Sequence, residues 1–143
     1  MNHDHITAAP DARTGLVEMT TAECWEQLDA NGVGRVAVAV GSTPDIFPVN
    51  YAVRDGEIVI RTEAGTKLAA ATMMPGVAFE IDEIDQATHR GWSVVVKGHG
   101  REPKELAEVV ALEELDLQPW ADASKTRWLM ITPSEVTGRC LPR

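Results

Sequence analysis

The densest anion-binding chemistry in the chain falls in Ile58-Val59-Ile60-Arg61-Thr62-Glu63-Ala64-Gly65-Thr66-Lys67-Leu68. An apolar strand runs out into Arg61 and Thr62, turns through Gly65 and opens a short predicted helix at Thr66 and Lys67. Arg61 offers a planar fork of N–H donors and Lys67 a compact positive charge. The first turn of the helix adds unpaired backbone N–H groups and the positive end of its dipole. A phosphate matches that set of donors. The chain has a net charge of −9, so a local cluster of cations invites an anionic ligand. The same two side chains can instead reach water and pair with Glu63 or Glu57, and the segment alone leaves both readings open.

Two further segments carry groups that could face a flat ligand. Pro48-Val49-Asn50-Tyr51 interrupts a strand, and a proline there belongs at an edge or a bend. A bend at Pro48 would expose backbone N–H and C=O groups, with Asn50 free to hydrogen-bond a ring carbonyl or nitrogen; the alternative is a plain barrel corner with Asn50 in solvent. In Gly91-Trp92-Ser93-Val94-Val95-Val96-Lys97-Gly98-His99-Gly100, Ser93 could donate to a ligand, and Trp92 could stack on a ring or anchor a subunit interface. His99 has no Ser or Asp arrangement around it that would make a triad and reads as a structural histidine on a bent strand. His3 and His5 do not complete a metal site, which needs three or four convergent ligands. No phosphate-loop, dinucleotide-fold, zinc-protease or serine-hydrolase motif is present.

The elements that must position these groups follow from periodicity and punctuation. Residues 1–15 lack an apolar period and read as a mobile tail, with a single domain over 16–143. Thr20-Thr21-Ala22-Glu23 has the form of a capping box, and Asn31-Gly32 is a stop signal, so a helix lies between them. Strands are expected over Val33 to Val40, Asp45 to Arg54 and Glu57 to Thr62, with Asp55-Gly56 as a two-residue hairpin turn. A short helix covers Thr66 to Met74. Strands follow over Val77 to Asp82 and Gly91 to Glu102, separated by a polar loop. An acidic amphipathic helix spans Lys104 to Leu115, with Leu106, Val109, Val110 and Leu115 on one face. A last strand covers Arg127 to Thr132, and a tail passes through Pro133 and Gly138. Six strands joined mostly as hairpins favour a mainly β (α+β) fold, an antiparallel barrel or curved sheet with short flanking helices.

Composition narrows the function classes. The chain has 143 residues, 44% of them hydrophobic and 24% charged, which suits one soluble domain. Its acidic balance opposes nucleic-acid binding, and its longest apolar run, Val36 to Val40, is far short of a membrane span. Met1 to His5 show no secretory pattern, so a cytoplasmic location is expected. Cys24 and Cys140 fit two reduced, buried thiols.

Taken in order, Gly34-Arg35-Val36-Ala37-Val38, Pro44 to Tyr51, Ile60 to Leu68 and Gly91 to Gly98 resemble the pyridoxamine 5′-phosphate oxidase-like family of flavin-binding split β-barrels. The resemblance covers roughly residues 20–101, with a looser match in the last strand. It implies a six-stranded split barrel that forms a homodimer with two flavin sites at the subunit interface. It further implies that Arg61, Thr62, Thr66 and Lys67 hold the phosphate, that Pro48, Val49 and Asn50 lie along the isoalloxazine ring, and that Trp92 and Ser93 contribute from the neighbouring strand or from the other subunit. FMN, or alternatively the deazaflavin coenzyme F-420, is the implied cofactor of a flavin-dependent oxidoreductase acting on a small molecule; the alternative is a non-catalytic flavin carrier. True pyridoxamine phosphate oxidases end in a basic segment with Arg and His. This chain has no histidine after His99, which turns expectation away from that substrate. No general acid or base is identifiable.

Overall fold

A computed structural model describes residues 9–40, 42–63, 76–118 and 126–141. Thr66 and Lys67, and the helix expected around them, lie outside the described residues. The elements are β1 (Val17–Glu18), α1 (Thr21–Ala30), β2 (Val33–Val40), β3 (Thr43–Asn50), β4 (Ala52–Arg54), β5 (Glu57–Glu63), β6 (Val77–Asp85), β7 (Arg90–Arg101), α2 (Leu106–Glu113) and β8 (Thr126–Leu141). All eight strands belong to one antiparallel sheet in the order β3-β2-β6-β7-β8-β5-β4, with β1 added beside β8. The two ends of that order, β3 and β4, are separated in the chain by Tyr51 alone. One residue therefore joins opposite edges of the sheet, and the sheet must curl round to permit it. That is the split barrel expected from the sequence, with eight strands in place of six, because the expected second strand divides at Tyr51 into β3 and β4 and the short β1 is added.

The local signals act as their chemistry requires. Thr20 Oγ1 accepts from the Glu23 N–H at 3.1 Å while the Glu23 carboxylate accepts from the Thr20 N–H at 2.8 Å, a complete capping box. Replacing Thr20 by Ala is expected to cost about 1 kcal/mol, read as a lower urea midpoint with an unchanged slope. Asp55 and Gly56 both take positive φ, 51° and 74°, which matches the twist of the β4–β5 hairpin.

Four expectations are corrected. The second strand does not bend at Pro48. β3 runs through it in register with Arg35, because an edge strand tolerates a missing N–H. The break falls at Tyr51, whose N–H donates to Gly32 O and whose hydroxyl donates to Leu28 O at 2.7 Å. The polar loop after β6 shrinks to a tight turn, since β6 and β7 stay paired out to Asp85 and Arg90. The final strand does not stop at Thr132: β8 continues through Pro133 and Gly138 to Leu141. On α2, Leu112 is the buried residue, whereas Leu106 and Val110 are exposed.

The barrel interior is filled by Val36, Val38, Ile58, Ile60, Phe79, Ile81, Val94, Val96, Leu129 and Ile131, sealed by Cys24 and Leu28 of α1. Both cysteines are free and buried. A second, smaller cluster lies outside the barrel wall, where Leu112 and Leu117 cover Val59, Trp128 and Met130. This second cluster fixes α2 over β5 and β8. No helix among the described residues is long and apolar enough to cross a membrane.

Candidate functional site

The end of β3 and the end of β5 meet beneath the C-terminus of α2. Arg61 Nε donates to Thr126 Oγ1 at 3.0 Å, Nη1 reaches Gln118 Oε1 at 3.4 Å, and Nη2 lies 3.6 Å from Glu113 Oε2. The guanidinium also stacks over the Trp128 ring, 4.9 Å from its centroid. Asn50 enters the same corner, donating through Nδ2 to the Gln118 carbonyl at 2.6 Å. Arg61, from β5 next to the β4 edge, and Asn50, from the β3 edge, are thus brought together on one residue, Gln118.

The elements explain why this corner holds its shape. Arg101 of β7 binds Glu57 at 2.7 Å and Glu108 of α2 at 2.5 Å, tying the start of the helix to the β4–β5 hairpin. Leu112 then anchors the helix on Val59 and Met130. Glu113 follows at the helix end, where it takes the Trp128 indole N–H at 3.1 Å and faces Arg61. Among the described residues Glu113 is thus an acidic partner of Arg61, and Glu57 is already engaged by Arg101.

From this corner a broad sheet face opens outward. Strand registers place Pro48 beside Arg35, Arg35 beside Glu80, and Asp82 beside Ser93. With Val49, Val36, Ile81 and Val94 buried inside, alternation puts Pro48, Asn50, Arg35, Glu80, Asp82 and Ser93 on the outer face. Arg35 Nη1 binds both carboxylates there, each at 3.1 Å. Burial first, then the hydrogen bond and charge of Asp82, push the Glu80 carboxyl from 4.5 up to about 7, against the pull of Arg35. The folded chain therefore holds this proton where the unfolded chain has released it. The stability contributed is whole below about pH 4.5 and falls as the pH rises to about 7. Urea midpoints measured across that interval are expected to fall less steeply in Glu80→Gln than in wild type; parallel profiles would contradict the assignment.

Not every expected residue joins the corner. Val49 faces the core at 7% exposure. Thr62 points to the opposite side of β5 from Arg61, beside Arg127. Trp92 is inside the barrel at 3% exposure, while its neighbour Ser93 is outside. From Asn50 to Ser93 the path crosses three strand spacings, about 14 Å. Sequence reasoning missed Glu113, Gln118, Thr126 and Trp128. By sequence Glu113 is one more carboxylate of an acidic amphipathic helix, and nothing local marks the others, which reach Arg61 only through the fold. The described residues contain no group of three or more His, Cys, Asp or Glu suited to a metal ion.

Comparison with known proteins gives this arrangement a context. A family model described as pyridoxamine 5′-phosphate oxidase matches residues 20–140. The uncharacterized protein Rv0080 of Mycobacterium tuberculosis is 32% identical over 136 residues, spanning 92% of this chain and 89% of that protein. The structure of the FAD binding protein from Mycobacterium smegmatis superposes with a TM-score of 0.76 at 35% identity, covering 87% of this chain and 98% of the other. An FAD-binding protein from Mesorhizobium loti gives a TM-score of 0.72 at 25% identity, over 87% and 96% of the two chains.

Proposed function

This chain belongs to the pyridoxamine 5′-phosphate oxidase family, and we propose that it binds a flavin nucleotide at the Asn50–Arg61 corner and works as a flavin-dependent oxidoreductase. The observation that carries this reading is the convergence of Arg61 and Asn50 on Gln118 at the margin of the open face bearing Pro48 and Ser93. An arginine fork suits a phosphate, an amide suits the polar edge of a heterocycle, and a flat sheet face suits its plane. Similar proteins from M. smegmatis and M. loti are FAD-binding, which supports a flavin. FMN is the part that FAD shares with this donor set, and it is the cofactor proposed here; FAD and the deazaflavin F-420 are the competitors in the test.

Bound flavin supplies hydride and electron transfer. The chain supplies the rest. Arg61 and, beyond the described residues, Thr66 and Lys67 grip the phosphate; Asn50 orients the ring; the sheet face shields one side from water. Ser93 lies farther from Asn50 than a three-ring heterocycle extends, which supports a homodimer in which Ser93 of one copy meets the ring held by the other. Light scattering should accordingly give twice the chain mass.

A non-catalytic carrier uses the same contacts, so binding alone does not separate the two roles. The separating test is anaerobic reduction of the loaded protein followed by an electron acceptor such as a quinone. Reoxidation faster than that of free flavin supports the enzyme. A rate equal to free flavin, with flavin still bound, assigns the carrier role.

A further inference from the structure

Three charged side chains of the open sheet face form a cluster that the Asn50–Arg61 corner leaves unused. Arg35 Nη1 lies 3.1 Å from Glu80 Oε1 and 3.1 Å from Asp82 Oδ2, and the two carboxyls hydrogen-bond to each other. One cation thus faces two acids, and without a shared proton the cluster carries one net negative charge. Glu80 keeps 32% of its side-chain surface open, so its proton exchanges with water. The sequence shows no general acid or base; here the fold assembles one.

Position relates the cluster to the ring. Pro48 is beside Arg35 and Arg35 beside Glu80, two strand spacings or about 10 Å in all. A three-ring heterocycle with one edge on Pro48 therefore brings its other edge over the pair. The uncharged Val95 and Ser93 of β7 stand opposite Glu80 and Asp82, and β3 presents Ile46 and Pro48 to this face. Its other charges are Lys97 on β7 beside Glu135 on β8, and Arg139 on β8 beside Glu18 on β1. The charges that act on the Glu80 proton are those of Asp82 and Arg35.

We propose that the Glu80–Asp82 pair is the proton store of the flavin site, binding one proton from water when the ring accepts a hydride and giving it up when the ring is reoxidised. This rests on flavin binding at the corner. A hydride donor of the reduced-nicotinamide class delivers two electrons and one proton, and leaves one added negative charge on the ring. That charge, facing a cluster already negative, raises the proton affinity of the pair. The proton then bound cancels it. A quinone that takes the two electrons needs two protons; the ring returns one and the pair the other.

The test follows the Glu80 carboxyl carbon by NMR, assigned by its loss in Glu80→Gln. The protein is measured without cofactor, then with FMN before and after reduction by dithionite. Without cofactor the signal should titrate at about pH 7, and lower in Asp82→Asn, because Asp82 raises the Glu80 value. With FMN bound, reduction at about pH 8 should return the carboxyl to its protonated position. Above about pH 7 the FMN potential should fall twice as steeply with pH in wild type as in Glu80→Gln, since two protons rather than one accompany two electrons. Should Glu80→Gln fail to fold, Asp82→Asn replaces it, and its steep range should begin at lower pH. A carboxyl that stays ionised on reduction, or a slope that neither variant alters, would overturn the proposal alone. Failure of FMN to bind would overturn it together with the flavin reading.

Discussion

Arg61→Ala should weaken FMN by about 1.5–3 kcal/mol, roughly 10-fold to 150-fold, as expected for loss of a charge-assisted hydrogen bond. Lys67→Ala, beyond the described residues, is expected in the same range. The environment of Arg61 refines this prediction. Its fork is held by Thr126, Gln118 and Glu113 and backed by the Trp128 ring, so little side-chain freedom is left to lose on binding. Glu113 has an opposing effect, since a carboxylate 3.6 Å from Nη2 competes with an incoming phosphate and repels it. Glu113 is 49% exposed, so solvent screens that competition to at most about 1 kcal/mol. Glu113→Gln should therefore tighten FMN by no more than about fivefold while still accepting the Trp128 N–H through its amide oxygen. Opposite signs for the two variants, read by fluorescence titration, are the signature of a phosphate at Arg61. Equal affinity in wild type, Arg61→Ala and Lys67→Ala would remove that assignment.

The second large effect concerns the fold. β7 and β8 change register between Lys97 and Gly98, where Gly98 faces Pro133. A Cβ at Gly98 would stand 2.0 Å from Thr132 O and 2.8 Å from its carbonyl carbon. These are backbone atoms of the central strand pair and cannot rotate aside. Gly98→Ala should cost about 3 kcal/mol or more, lowering Tm by roughly 10 °C for a chain of this size. Gly32 gives the control, because nothing lies within 4 Å of its added Cβ; Gly32→Ala should stay within about 0.5 kcal/mol of wild type. A Gly98→Ala melt matching that control would show that the β7–β8 bulge relaxes freely.

Those two positions also mark what the sequence could and could not reveal. Signals confined to a few residues read correctly: the Thr20–Glu23 box, the limits of β2, and the Asp55-Gly56 turn are each decided by local chemistry. β8 was truncated because Pro133 and Gly138 are ordinary breakers. In the fold, Pro133 falls at the bulge, where a missing N–H costs little, and Gly138 passes close to the Cys24 sulfur, 2.7 Å from where its Cβ would be. Neither compensation is visible from neighbours in sequence.

Trp92 was legible in principle, since Val94 and Val96 two and four residues on are core residues and share its face. The intervening Val95 hid the alternation. At the candidate site, Arg61 and Asn50 stood out by residue type. Glu113, Gln118, Thr126 and Trp128 did not, because their contacts with Arg61 span 52 to 67 positions of chain and exist only once α2 has packed on Val59.

Flavin binding at the corner of Asn50, Arg61 and Trp128 is decided by FMN titration of the protein stripped of small molecules. Trp128 lies against Arg61, so its emission should be quenched on binding. Binding at this corner should give saturable quenching at micromolar FMN, most of it lost in Trp128→Phe. No quenching by FMN, FAD or F-420 at a hundred times that concentration would contradict it.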